Sequence, residues 1–237
     1  MTHLYLIRHG QAISAVQRTL GNTDLSPLGI RQAERLRDRL AATGEIAADV
    51  LITSTLRRAH QTAEIIAPAL GLPIVLDDDV HERREGQAAG MSEEEYRKTY
   101  GNFDFEYEPF HPVAPGGENQ GQFMLRVGTA LDRVTREHTG KTIVIVCHGG
   151  VIEGAFLCFF KMNTLTRPAA SFDTHNTSIT YWHQQPQEGR PPRWRLIKYN
   201  DDLHLRAIDA PQPIPWHEIF ARPSVGADQP TVPLETE

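Results

Sequence analysis

The residues able to do chemistry follow apolar runs. Leu4-Tyr5-Leu6-Ile7 leads straight into Arg8-His9-Gly10, and the β-branched run 142–147 leads straight into His148-Gly149-Gly150. A third run, Val50-Leu51-Ile52-Thr53, leads to Ser54 and then to Arg57-Arg58. Glu82 comes soon after a fourth, Ile74-Val75-Leu76. Guanidinium forks match phosphate oxygens and stay charged at all working pH values. A neutral imidazole among such cations can attack phosphorus and carry the phosphoryl group. A carboxylic acid can protonate the departing alcohol and then activate water. Glycine after each His lets backbone approach an anion closely.

Those residues need a scaffold that brings them to one edge. Residues 2–7, 50–53, 74–76 and 142–147 read as buried strands, the last being the clearest. Ser26-Pro27 reads as an N-cap with Pro at the first helical position, followed by Ala33, Leu36 and Leu40 at helical spacing and a stop at Gly44. Ala59, Ala63, Ile66 and Leu70 predict a second helix, closed by Gly71 and Pro73. Phe123, Val127, Leu131 and Val134 predict a long helix ended by Gly140, and residues 151–160 a further one. Residues 178–182 and 194–199 read as late strands joined by a polar turn over 184–193. Strands alternating with helices predict an α/β fold: a three-layer α/β/α sandwich with a mostly parallel sheet. In such sheets, sites form beyond the carboxyl ends of the strands. Residues 77–117 read as an inserted, loop-rich lid with one helix near 92–100, and 207–237 as a Pro-rich C-terminal tail. The domain itself is expected over 1–206.

Composition narrows the function. The chain has 237 residues and a net charge of -6, against a broad basic surface for nucleic acid or anionic lipid. No apolar run approaches the roughly 20 residues that span a bilayer, and neither nucleic acid nor membrane is an expected partner. The first ten residues do not read as a secretory signal, so a cytoplasmic location is expected. The two cysteines, Cys147 and Cys158, form no disulfide framework and fit a reducing compartment. The 11 His include no His-Glu-x-x-His motif, and the cysteines are too far apart for a zinc clip, so no metal is assigned.

The segment Leu6-Ile7-Arg8-His9-Gly10 resembles the signature of the histidine phosphatase superfamily, the phosphoglycerate mutase-like group. Further segments match in order. They are Asp24-Leu25-Ser26-Pro27-Leu28-Gly29, Thr53-Ser54-Thr55-Leu56-Arg57-Arg58-Ala59, Glu82 with Gly86 and Gly90, Pro115-Gly116-Gly117-Glu118, the His148-Gly149-Gly150 segment, Asn176-Thr177-Ser178, and Tyr199-Asn200-Asp201 with His204. The resemblance covers roughly residues 1–206. It implies that His9 is the nucleophile that becomes phosphohistidine, and that Arg8, Arg58 and His148 bind the phosphate. It implies that Glu82 is the proton donor, and it favours Arg58 over Arg57 because the family's Arg directly precedes the Ala, here Ala59. Gln11 and the backbone at Gly149 are further expected substrate contacts. This chemistry needs no metal or organic cofactor.

The match departs from the family at Ala12, at Ala15 where a phosphate-contacting Asn is common, and at Ala88-Ala89 where a Trp-Glu pair is common. Arg57 reads as a solvated helix-start residue, Arg83 and Arg84 as solvated loop residues, Ser54 as a helix cap, and Gly116-Gly117 as a turn. A mutase would need an Arg pair shortly after the acid-bearing loop, and residues 98–119 contain no Arg. The expectation is therefore a phosphatase, a metal-independent phosphoric monoester hydrolase acting on a small phosphomonoester through phosphohistidine. The alternatives are phosphoglycerate mutase-type transfer and a phosphate-binding module with weakened catalysis. A homodimer is compatible with the tail.

Overall fold

A computed structural model of the chain describes residues 1–101, 108–165 and 171–206, and Met1–Leu205 form one compact unit. The expected tail over 207–237 and residues 102–107 of the expected lid lie outside the described residues.

Six strands form one sheet in the order β3-β2-β4-β1-β5-β6. They are β1 (Thr2–Arg8), β2 (Val50–Ser54), β3 (Ile74–Asp77), β4 (Thr142–Cys147), β5 (Ile179–Gln187) and β6 (Arg190–Asp201). β1, β2, β3 and β4 run parallel, whereas β5 pairs antiparallel with both β1 and β6. The sheet is thus mixed, within an α/β fold.

Six α-helices accompany it among the described residues: α1 (Ile13–Gln17), α2 (Pro27–Thr43), α3 (Arg57–Leu70), α4 (Glu93–Tyr100), α5 (Gln120–Glu137) and α6 (Gly149–Phe159). Successive side chains on β1 and β4 point to opposite faces. Leu4, Leu6, Ile143 and Ile145 pack with α5 and α6 through Phe123, Val127, Leu131 and Phe156. Ile7, Val144 and Val146 pack with α2 and α3 through Leu36, Leu40, Ala63 and Ile66. Helices therefore cover both faces. Burial of each such Leu, Ile or Phe contributes about 1.5–3 kcal/mol, which holds the strand ends in place.

The helix boundaries follow local chemistry. Ser26 caps α2 by accepting from the Gly29 amide at 3.1 Å, with Pro27 in the first turn and Gly44 left-handed at the end. Ser92 opens α4 with a capping box to Glu95.

The hairpin departs from expectation. The polar stretch 184–193 is mostly strand, with β5 continuing to Gln187, β6 starting at Arg190, and a turn at Glu188-Gly189. Its pairs include Gln184 with Trp194 and Gln185 with Arg193. Such pairs carry little apolar alternation, so the sequence pattern hid them. Helix α1 is too short to leave a periodic signal.

The register sets up the site. Ile7 pairs with Val146, and Val146 pairs with Thr53, so β1, β4 and β2 end side by side. The next residues outward are Arg8 and His9, Cys147 and His148, and Ser54. Because β5 is antiparallel, the residues preceding it, 176–178, arrive at the same edge.

Candidate active site

His9 leaves β1 with its amide donating to the Cys147 carbonyl at 3.0 Å. Asn176 donates through Nδ2 to the His9 carbonyl at 2.9 Å, and the Thr177 amide donates to the Arg8 carbonyl at 2.9 Å. The backbone is thus held from both flanking strands. His9 is 8% exposed. Its Nδ1 lies 2.6 Å from the Gly10 carbonyl, and Arg58 Nε donates to its Nε2 at 3.1 Å. A carbonyl can only accept and a guanidinium can only donate. The proton therefore sits on Nδ1, and Nε2 carries the lone pair. Burial, followed by the charges of Arg58 and Arg8, holds the ring well below the usual imidazole range, with the Gly10 bond working the other way.

Arg58, in the first turn of α3, is buried and also donates through Nη1 to the Gly21 carbonyl at 3.1 Å. Thr62, one turn on, accepts from the Gly10 amide at 3.0 Å and donates to the Arg58 carbonyl at 2.7 Å, tying the two segments together. Arg8 donates through Nη1 to the Thr174 carbonyl, while its buried Nε has no hydrogen-bond partner among the described residues. Burial lowers the pKa of both arginines, against the pull of Glu82.

His148 is fully buried, and its ring centroid lies 5.0 Å from that of His9. Its Nε2 lies 2.9 Å from Ser54 Oγ, and its Nδ1 is buried with no partner among the described residues. Burial, with His9, Arg58, His81 and Arg8 adding to it, holds this ring well below the usual range as well. Gly149 opens α6, and a Cβ there would stand 3.8 Å from Arg8 Nε. The leading amides of a helix lack intrahelical partners and favour anions.

Glu82 reaches this edge from the connection after β3. One carboxyl oxygen accepts from the Arg83 amide at 2.9 Å and the other from the Gly150 amide at 3.2 Å. A Cβ on Gly150 would stand 2.4 Å from Glu82 Oε1 and 2.8 Å from the Phe123 ring, so this approach requires glycine. The expected turn at Gly116-Gly117 packs on the same connection. A Cβ on Gly86, whose φ is +58°, would meet the Gly117 amide at 2.2 Å.

His9, Arg58, Arg8, His148 and Glu82 therefore meet at one edge. Gln11 is tied to the start of α2, where its side-chain oxygen accepts from Ser26 Oγ at 2.7 Å. Arg57 is not merely solvated. It makes a two-pronged pair with Asp24, both contacts at 2.7 Å, directed away from His9 and its partners. Arg83 is half-buried, lies over the Phe123 ring at 5.3 Å and donates to Gln120, whereas Arg84 pairs with Asp78. Ala12 is buried and bridges to Leu25, Ala15 is exposed, and Ala88 packs in a satellite cluster with Val113 and Ala114.

Several site residues escaped the sequence reading. Ser54 contacts His148 as well as accepting from the Leu56 amide at 3.2 Å, so capping is only part of its role. Asn176 grips the His9 carbonyl. His81 stands 6.3 Å from His148, ring to ring, and Glu85 accepts from the Gly21 amide at 3.0 Å. Burial pushes the Glu85 carboxyl upward. Ser54 and Asn176 lie inside flagged motifs and His81 adjoins one, which was the available signal. Among the described residues, no three His, Cys, Asp or Glu side chains form a group able to hold a metal ion.

Residues 4–201 match the histidine phosphatase superfamily (branch 1). The chain is 34% identical over 206 residues to an uncharacterized phosphatase, PhoE, of Bacillus subtilis, covering 86% of this chain and 97% of that one. It is 27% identical over 216 residues to a metal-independent phosphoserine phosphatase of Arabidopsis thaliana, covering 88% and 85%. Among solved structures it resembles a phosphoserine phosphatase of Entamoeba histolytica in complex with 3-phosphoglyceric acid. That likeness has a TM-score of 0.67 and 27% identity, covering 86% of this chain and all of the other.

Proposed function

The chain belongs to the histidine phosphatase superfamily, and from that premise we propose that it is a metal-independent phosphatase that hydrolyses a small phosphomonoester through phosphohistidine on His9. One observation carries the reading. His9 Nε2 is unprotonated and lies 3.1 Å from Arg58 Nε, in a ring whose neutrality is enforced by burial and two cations. A nucleophilic nitrogen is thereby held beside the charge that would steady its target.

In the first step, His9 Nε2 forms a bond to phosphorus as the ester P–O bond breaks. The departing oxygen takes the proton of the Glu82 carboxyl group. Arg8, Arg58 and His148 bind the equatorial oxygens, whose negative charge makes positioning and electrostatics the main catalytic demand. The Gly149 amide adds a backbone donor. In the second step, water attacks phosphorus, gives a proton to Glu82, and the N–P bond breaks to release inorganic phosphate. The proton account closes over the two steps.

The choice of hydrolase over mutase rests on the Arg-free stretch 98–119 and on relatives named as phosphatases. The test is a panel of phosphomonoesters that includes phosphoserine, and 3-phosphoglycerate with its bisphosphate primer. Free phosphate and isomer formation are assayed in parallel. Phosphate release, with phosphate trapped on His9 after acid-free quenching, is the expected result. Isomer formation without release would replace the hydrolase by a mutase, and binding without either product would leave only a phosphate-binding module.

A further inference from the structure

His148 has a feature that the reaction scheme does not explain. Its ring is fully buried and neutral, with burial as the main cause. A neutral imidazole carries one N–H, so it can donate to a phosphoryl oxygen from only one nitrogen. If the proton sat on Nε2, the Nδ1 edge would present a lone pair to any phosphate oxygen and repel it. Which nitrogen holds the proton therefore decides whether His148 binds the anion at all.

The neighbouring hydroxyl settles that choice. Ser54 Oγ accepts the Leu56 amide at 3.2 Å, which occupies one lone pair. Its own proton needs an acceptor, because Ser54 is fully buried and an unpaired buried donor is costly. His148 Nε2, at 2.9 Å, is the acceptor recorded for it among the described residues. With Ser54 donating, Nε2 is bare and the ring's proton must sit on Nδ1. That nitrogen is buried and has no partner among the described residues, as a donor reserved for a ligand would be. We infer that Ser54 is a positioning residue that fixes His148 in its Nδ1–H tautomer, so that a neutral ring can donate to the transferring phosphoryl group.

The inference deepens the phosphatase reading, because it assigns the donor state of one of its phosphate-binding groups. It also explains why the serine stands at the end of β2. The pairing of Thr53 with Val146 puts Ser54 beside His148, across 94 residues of chain. The role resembles that of the partners that orient metal-bound or catalytic histidines from behind.

Nitrogen NMR on protein with labelled histidine separates protonated from bare ring nitrogens, and the His148 signals are identified by their loss in His148→Gln. The wild-type protein should show His148 Nδ1 protonated and Nε2 bare. A protonated Nε2 would overturn the inference without any variant being made. In Ser54→Ala the fixed tautomer should be lost. Affinity for inorganic phosphate and kcat/KM should each fall roughly 10- to 100-fold, the scale of one hydrogen bond to a charged group. Ser54→Thr, which keeps the hydroxyl, should recover most of both, even if each variant melts at a lower temperature. Unchanged phosphate affinity in a folded Ser54→Ala protein would also overturn it. The spectrum and phosphate binding need no turnover, so a wild-type protein that released no phosphate would sink the phosphatase reading while leaving this inference separately readable.

Discussion

The ends of β1 and β4 invite comparison because they are nearly equivalent in backbone terms. Arg8 pairs with Cys147, and each strand delivers a buried imidazole at the next position. Both rings are held below the usual imidazole range, first by burial, and Arg58 and Arg8 push on each, with His9 ahead of them at His148. Their partners differ in kind. His9 stands between a carbonyl and a guanidinium, neither of which can reverse its hydrogen-bonding sense, so its tautomer is fixed outright. His148 faces a hydroxyl, which can donate or accept, so its tautomer is decided by the buried Ser54 proton, whose acceptor among the described residues is His148 Nε2. Two residues of one type with matching burial thus offer opposite functions: a lone pair from His9 and a proton from His148. Donor and acceptor character in the immediate neighbours, more than burial or charge, separates them.

The sharpest way to break this contrast is to remove each ring in turn. His9→Ala should lower kcat by a factor of at least about 10⁴ and abolish the phosphoenzyme, because the nucleophile itself is gone. His148→Ala should cost about 10²–10³, the scale of one lost donor to a developing oxyanion, and should still form phosphohistidine slowly. Rapid quench with radiolabelled ester reads both effects. A phosphoenzyme in His9→Ala, or equal loss in the two variants, would mean that the rings do not divide the work as their partners suggest.

A smaller effect tests what the rings share. Each is neutral in the folded protein, with a value depressed below the ordinary 6.5. As pH falls below about 6.5, the unfolded chain takes up protons that the native site refuses. The stabilisation is therefore fully present above that pH and is lost progressively from there down to each depressed native value. His204, half-buried beside Arg39, adds a third such window running from 6.5 down to about 4. Within its window each ring contributes a slope of about 1.4 kcal/mol per pH unit. Urea unfolding at a series of pH values should show wild-type stability falling on acidification, and His9→Gln falling less steeply by about one such slope. Parallel curves for the two proteins would show that His9 titrates normally in the fold.

The sheet and the strand-end residues were legible because they rest on short-range rules. An unbroken β-branched run followed by His148-Gly149 announces both a strand and a polar group at its end, and Ser26-Pro27 announces a helix start. What stayed hidden depends on partners chosen across the fold. Ser54 reads as a cap until the register of β2 on β4 sets it against His148. The tie between Gln11 and Ser26 Oγ likewise shows only once β1 and the start of α2 meet. The β5–β6 hairpin was obscured because its solvated pairs, such as Gln185 with Arg193, leave no apolar alternation. Glu82 was visible as a carboxylate after a strand, but its seat against Gly150 depends on a glycine 68 residues away.

The smallest expected effect sets the baseline for the comparison. Arg57 and Arg58 are neighbours at the start of α3, and a step of one residue turns a helix by roughly 100°. That turn sends Arg58 inward to His9 and Arg57 outward to Asp24. The Arg57–Asp24 pair has good geometry, but its side chains are 61% and 33% exposed. Solvent screening and side-chain entropy reduce such a pair to about 0–1 kcal/mol. The Arg57 amide bond to Asn22 Oδ1, at 2.8 Å, does not involve the side chain and survives its removal. Arg57→Ala should therefore unfold within about 1 kcal/mol of wild type in urea, and its kcat/KM should be unchanged. Loss of turnover in Arg57→Ala with stability intact would place its guanidinium in contact with substrate and move the edge of the site outward by one residue.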